Sequence, residues 1–173
     1  MEKARVIITL ECNRSCEYCV NKNRHILERA VKIKSINELK EHRIICVTGG
    51  EPMLNPERSI GIIKAIRKKF PESLLYFYTA LFNERIKEII RLVDGISYTL
   101  HKKYSQNDIQ NFYKFQKLID VPGKEFHLNL DPAIRAAILI RPFLWSNIKI
   151  KKWFVGKEAH IPEGELLYIL NPG

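Results

Sequence analysis

The chain of 173 residues has no apolar run approaching the 18 or so that a membrane helix needs, and no N-terminal apolar stretch leading to a cleavage site. From those two absences a soluble, cytoplasmic protein with no membrane partner is expected. Glycine and proline are sparse, eight of each, which excludes collagen-like and low-complexity classes, and 46% apolar with 28% charged residues excludes disorder. Acidic side chains are the sign in short supply, 19 against 29 Lys and Arg, so the formal net charge is +10. A field of that sign attracts phosphates or acidic partners without identifying one. Cysteine is scarce too, with four in all, and three of these fall within residues 12–19. A disulfide among such close neighbours would staple little, because its stabilisation grows with the loop it closes. Ligation is the better use for these thiols. The length suits one domain over residues 1–173, with 155–173 as a short C-terminal extension.

What is present is alternation. Apolar, β-branched stretches at residues 6–10, 44–48, 74–79, 96–101, 125–130 and 148–155 read as strands. Between them, Ser35 and Glu38 form a capping-box pattern for a helix over 34–40, and amphipathic helices are expected over 56–70, after Asn83, over 105–119 and over 131–143. The tail at 158–173 fits either a short strand or a surface-packed extension. Strands alternating with helices argue for parallel pairing through right-handed crossovers. Ser97, Thr99 and His101 alternate with Ile96, Tyr98 and Leu100, and His127 and Asn129 with Phe126, Leu128 and Leu130. A polar face beneath covering helices implies the interior of an incompletely closed barrel, whose loops at the C-terminal strand ends build the site. Mutually satisfied polar core residues would give the same pattern. The expected fold is α/β, a partial (β/α)6 barrel of parallel strands.

The chemistry concentrates in two segments. Cys12, Cys16 and Cys19 stand at C-x3-C-x2-C just after the first strand. Thiolates hold iron–sulfur clusters and also zinc, but a structural zinc site is closed by four protein ligands. Cys46, between Ile45 and Val47 in a strand, reads as a core residue. Three thiolates on a four-iron cluster leave one iron open to bind a reactant. The second segment is Thr48-Gly49-Gly50-Glu51-Pro52, at the end of the second strand. Glycines there allow close approach to a ligand. A plain strand-to-helix turn with Glu51 as its cap is the alternative.

The cysteine triplet with Tyr18 before its last member, followed by Gly49-Gly50-Glu51, resembles the radical S-adenosylmethionine enzyme superfamily, in the form of a minimal single-cluster member. The resemblance spans residue 6 to about residue 155. It implies a barrel of the radical SAM core type, and an oxygen-sensitive 4Fe-4S cluster on Cys12, Cys16 and Cys19 whose open iron is chelated by S-adenosylmethionine. An external electron donor is also implied. Reductive cleavage would give a 5′-deoxyadenosyl radical that takes hydrogen from an unidentified substrate. It further implies cofactor contacts at Tyr18, Gly49, Gly50 and Glu51, a ribose contact at His101, and similarly placed side chains at Thr79 and Asn129. The family's glycine-rich motif near the fifth strand is not evident in His127-Leu128-Asn129-Leu130-Asp131.

The substrate is less legible. A second cysteine cluster is missing, which excludes members with auxiliary centres. An uncapped barrel mouth suits a macromolecule whose surface closes the site. A nucleotide or nucleic acid is favoured by the net charge, the basic stretch 22–43 and the mixed basic and aromatic run 149–154. The small activases that install a glycyl radical in a protein partner share the length and the single cluster, although Leu10-Glu11 departs from their lead into the first cysteine. A non-catalytic, metal-stabilised nucleic-acid-binding module, with Cys46 or His25 as fourth ligand, would use the same cysteines. Iron with sulfide, or one zinc, separates the classes.

Overall fold

The computed structural model describes residues 2–16, 19–101, 103–150, 161 and 163–171. Alternation of charged and apolar residues makes β1 (Lys3–Ile7), with Ala4 and Val6 fully buried and Lys3 and Arg5 half-buried on the opposite face. After it come β2 (Val31–Ile33), β3 (Ile44–Thr48), β4 (Leu74–Thr79), β5 (Gly95–Leu100), β6 (Glu125–Leu130), β7 (Asn147–Ile150) and β8 (Glu165–Leu170). They form one sheet in the order β2-β8-β1-β3-β4-β5-β6-β7, with every neighbouring pair parallel. The architecture is therefore α/β around an all-parallel, eight-stranded sheet.

Most of the helices begin where a side chain satisfies one of their first amides. Asn23 Oδ1 accepts from the Ile26 amide at the start of α1 (Arg24–Arg29), and Asn55 Oδ1 accepts from the Arg58 amide at the start of α2 (Pro56–Lys69). Ser105 and Asp108 form a capping box for α4 (Gln106–Gln116), which follows α3 (Ile86–Leu92). One face of the sheet is sealed by α2, α3 and α4 through Ile60, Ile63, Ile86, Ile89, Phe112 and Phe115. The other face has one apolar patch, where Ile7, Leu167 and Ile169 meet Ile26 of α1 and Ala30 just after it. Its remainder carries Arg5, Cys46, Tyr76, Tyr78, Ser97, Thr99, His127 and Asn129, as the alternation in β5 and β6 anticipated.

Three expectations need correction. The capping box at Ser35 and Glu38 is formed, but it opens a single 3-10 turn over Ile36–Glu38, not a helix through residue 40. The helix expected over 131–143 stops after α5 (Pro132–Arg135). The cause is a side chain: Gln116 donates to the Leu139 carbonyl at 3.0 Å and accepts from the Arg141 amide at 3.0 Å, while the Leu139 amide donates to Tyr113 Oη at 3.1 Å. Groups that would have continued the helix are spent on α4. The tail supplies β8, inserted between β1 and β2, so the sheet has two more strands than the six read from sequence. The expected strand at 148–155 begins at Asn147, and its portion beyond residue 150 lies outside the described residues.

Candidate metal and cofactor site

The loop after β1 is built by close backbone approach. The Ile8 amide donates to the Thr48 carbonyl at 2.9 Å, the Gly50 amide to Thr9 O at 2.7 Å and the Glu51 amide to Glu11 O at 2.7 Å. These bonds prolong the β1–β3 pairing past both strand ends into the cysteine segment. A Cβ on Gly49, whose φ is +152°, would lie 2.4 Å from Thr9 O, and one on Gly50 would lie 2.0 Å from Glu11 O. The close contact these glycines permit is thus with the cysteine loop itself.

Cys12, Cys16 and Cys19 all line one cavity of about 270 Å³, together with Gly49, Gly50, Glu51, Thr79, His101, Arg5, Arg14, Asn21 and Tyr78. All four cysteines are thiols, with Cys12 exposed, Cys16 and Cys19 half-buried and Cys46 buried. Cys16 Sγ lies 3.6 Å from His101 Nδ1. Burial, reinforced by the Arg14 charge, lowers the His101 pKa to about 4, so the ring is neutral at ordinary pH. The Arg14 amide donates to Cys12 Sγ at 3.4 Å.

Glu51 is 2% exposed, and its carboxylate is fully engaged. It accepts from the Met53 amide at 2.9 Å, from Thr79 Oγ1 at 2.6 Å and from the Ala80 amide at 2.8 Å. Burial pushes its pKa up, against the pull of those three donors and of Arg14. Glu51 and Thr79, both singled out from sequence, therefore tie the end of β3 to the end of β4. Asn129 does not line the cavity; its Nδ2 donates to Ser97 Oγ at 2.8 Å. Tyr18 lies outside the described residues.

Two residues that sequence reasoning passed over stand out. Arg14, between the first two cysteines, donates from Nη2 to Ala80 O at 3.2 Å and to Asp108 Oδ1 at 2.5 Å, and from Nη1 to Lys103 O at 3.3 Å. Arg5 pairs with Glu165 of β8, lies 5.3 Å from the Tyr78 ring centroid and lines the cavity floor. Two cations at alternate positions of β1, Lys3 and Arg5, were the available signal for Arg5. Arg14 offered none, because its partners come from the residue after β4, from α4 and from the loop before α4.

Among the described residues, no group of three or more Cys, His, Asp or Glu side chains is placed to hold a metal ion. The donor chemistry fits an iron–sulfur cluster: three thiols of one loop border one cavity. Two buried donors there, Arg14 Nε and Asn21 Nδ2, have no acceptor among the described residues. Thiolate and sulfide sulfur are acceptors that would satisfy them.

Comparison with known proteins agrees with this chemistry. The family described as 4Fe-4S single cluster domain matches residues 4–117. A protein of Methanocaldococcus jannaschii, provisionally named a glycyl-radical enzyme activating enzyme, is 27% identical over 128 residues, covering 65% of this chain and 34% of the relative. The chain thus spans about a third of that relative's length.

Proposed function

Since the chain belongs to the 4Fe-4S single cluster domain family, we propose that it is a radical S-adenosylmethionine enzyme of the glycyl-radical-activating kind, acting on a protein partner. The observation that carries this reading is the convergence of Cys12, Cys16, Cys19 and Gly49-Gly50-Glu51 on one cavity at the C-terminal ends of β1 and β3. The proposal includes the barrel-like form of the sheet, with the polar face as its interior. The relative's name favours a protein substrate over a nucleic acid.

Cys12, Cys16 and Cys19 would hold the cluster, and the remaining cavity would take S-adenosylmethionine. When bound and reduced, such a cluster supplies one electron to the sulfonium, giving methionine and a 5′-deoxyadenosyl radical that takes a hydrogen atom from a substrate carbon. The chain's own groups act around that event. Gly49 and Gly50 seat the cysteine loop against β3, and Glu51 locks β3 to β4. His101 stands beside Cys16, its Nδ1 3.6 Å from the sulfur. Arg5, Tyr78 and Leu167 floor the cavity.

Anaerobic reconstitution with iron and sulfide, reduction, and addition of S-adenosylmethionine should yield 5′-deoxyadenosine and methionine. Cys12→Ala, Cys16→Ala and Cys19→Ala should each abolish the product. Cys46→Ala should keep cluster and product, since its thiol is buried on the sheet and does not line the cavity. One zinc per chain with no sulfide would overturn the reading and favour a metal-stabilised binding module.

A further inference from the structure

We propose that the Arg14–Asp108 pair sets the reduction potential of the cluster, Arg14 acting as a positioning residue that also brings a fixed positive charge to the cysteine loop. This rests on the cluster reading above. Arg14 is the centre of a partly buried polar chain. Its guanidinium spans Asp108 at the first turn of α4, Lys103 O and Ala80 O. The Ala80 peptide is gripped from both sides, its carbonyl by Arg14 and its amide by Glu51. Glu51 in turn accepts from Thr79 and Met53. The cysteine loop is thereby fastened to β4 and α4 as well as to β3.

The side chains of Arg14 and Asp108 are only 13% and 16% exposed. Charges so little exposed are poorly screened by solvent and salt. Arg14 also has an Nε donor with no acceptor among the described residues, and its own amide already donates to Cys12 Sγ. Both observations point the residue toward sulfur. Reduction adds a negative charge to the cluster, so a nearby cation favours the reduced form and a nearby carboxylate opposes it. Asp108 moderates Arg14 and holds it in place.

The signs are the test. Wild type, Arg14→Gln, Asp108→Asn, the double variant and Arg14→Lys are reconstituted, assayed for iron and sulfide, and titrated anaerobically with spectroscopic detection of the reduced cluster. Arg14→Gln should shift the reduction equilibrium about tenfold toward the oxidised form, ~59 mV downward for a one-electron couple. Asp108→Asn should shift it upward, and the double variant should return near wild type. Arg14→Lys should keep the potential but lose the cluster to a chelator several-fold faster, because an ammonium cannot span the same three acceptors. Shifts of the same sign in both single variants, as simple loosening would give, overturn the inference, and so does the absence of any shift. If Arg14→Gln does not fold, Asp108→Asn must still raise the potential. A wild-type chain that takes up no iron and sulfide overturns the proposed function, and this inference with it; a normal cluster with the wrong signs overturns only this inference.

Discussion

Single atoms decide the candidate site. The distance of 2.0 Å from a Gly50 Cβ to Glu11 O concerns backbone on both sides, which no rotamer change can relieve. Gly50→Ala should therefore displace the cysteine loop and reduce iron bound after reconstitution several-fold. Gly61→Ala is the control: nothing lies within 4 Å of the added methyl on α2, so it should bind iron normally and gain up to about 1 kcal/mol in urea unfolding. Residue identity singles out the cysteines and glycines as candidates but does not say what they touch. For Thr79 and Asn129 the family resemblance implies a placement similar to that of His101. The structure engages Thr79 with Glu51 and Asn129 with Ser97, partners that are 28 and 32 residues away and carry no local sequence signal.

At the scale of elements, strands and helices with strong periodicity were legible, and those governed by distant partners were not. β3, β4 and β6 begin and end where the sequence placed them, because their apolar or alternating runs are bounded by polar turns. β2 has only three residues, two of them exposed, and exists because β8 offers it a ladder. The missing half of the helix after β6 is explained by Gln116, whose amide is nearly buried and bonds to Leu139, Arg141 and the Trp145 indole. Gln116→Leu would strand those groups beside an apolar side chain. It should cost about 2–3 kcal/mol in urea unfolding while leaving the iron content unchanged, since no cavity residue is touched. Basic residues of α2 also proved structural. Lys69 Nζ donates to Ile36 O, Asn37 O and Leu39 O, and Arg67 ties Asp94 to the carbonyls of Leu92, Pro71 and Ser73.

Across the whole molecule, the first and last of the described strands pair in the sheet. Lys3 and Arg5 of β1 share Glu165 of β8, the register partner of Lys3. Burial raises the Glu165 pKa, but the hydrogen bonds and charges of Arg5 and Lys3 outweigh it and hold the carboxyl below its ordinary value of 4.5. A carboxyl depressed in the folded state contributes stability above its unfolded pKa and loses it as pH falls through the folded one. Thermal stability should thus decline below about pH 4.5, and Glu165→Gln should flatten that part of the profile while lowering stability near neutrality. β8 contributes to both faces, through Leu167 and Ile169 on one side and Tyr168 and Leu170 on the other. Removing residues 164–173 should abolish cooperative unfolding by circular dichroism. The same topology bears on biosynthesis. β1 emerges from the ribosome early and finds β3 within the next few dozen residues, yet its other edge stays bare until β8 has been translated. The cysteine loop hangs from β1 throughout that interval. Under the function proposed above, iron and sulfide would meet a cysteine loop whose parent strand is paired on both edges only once β8 is in place.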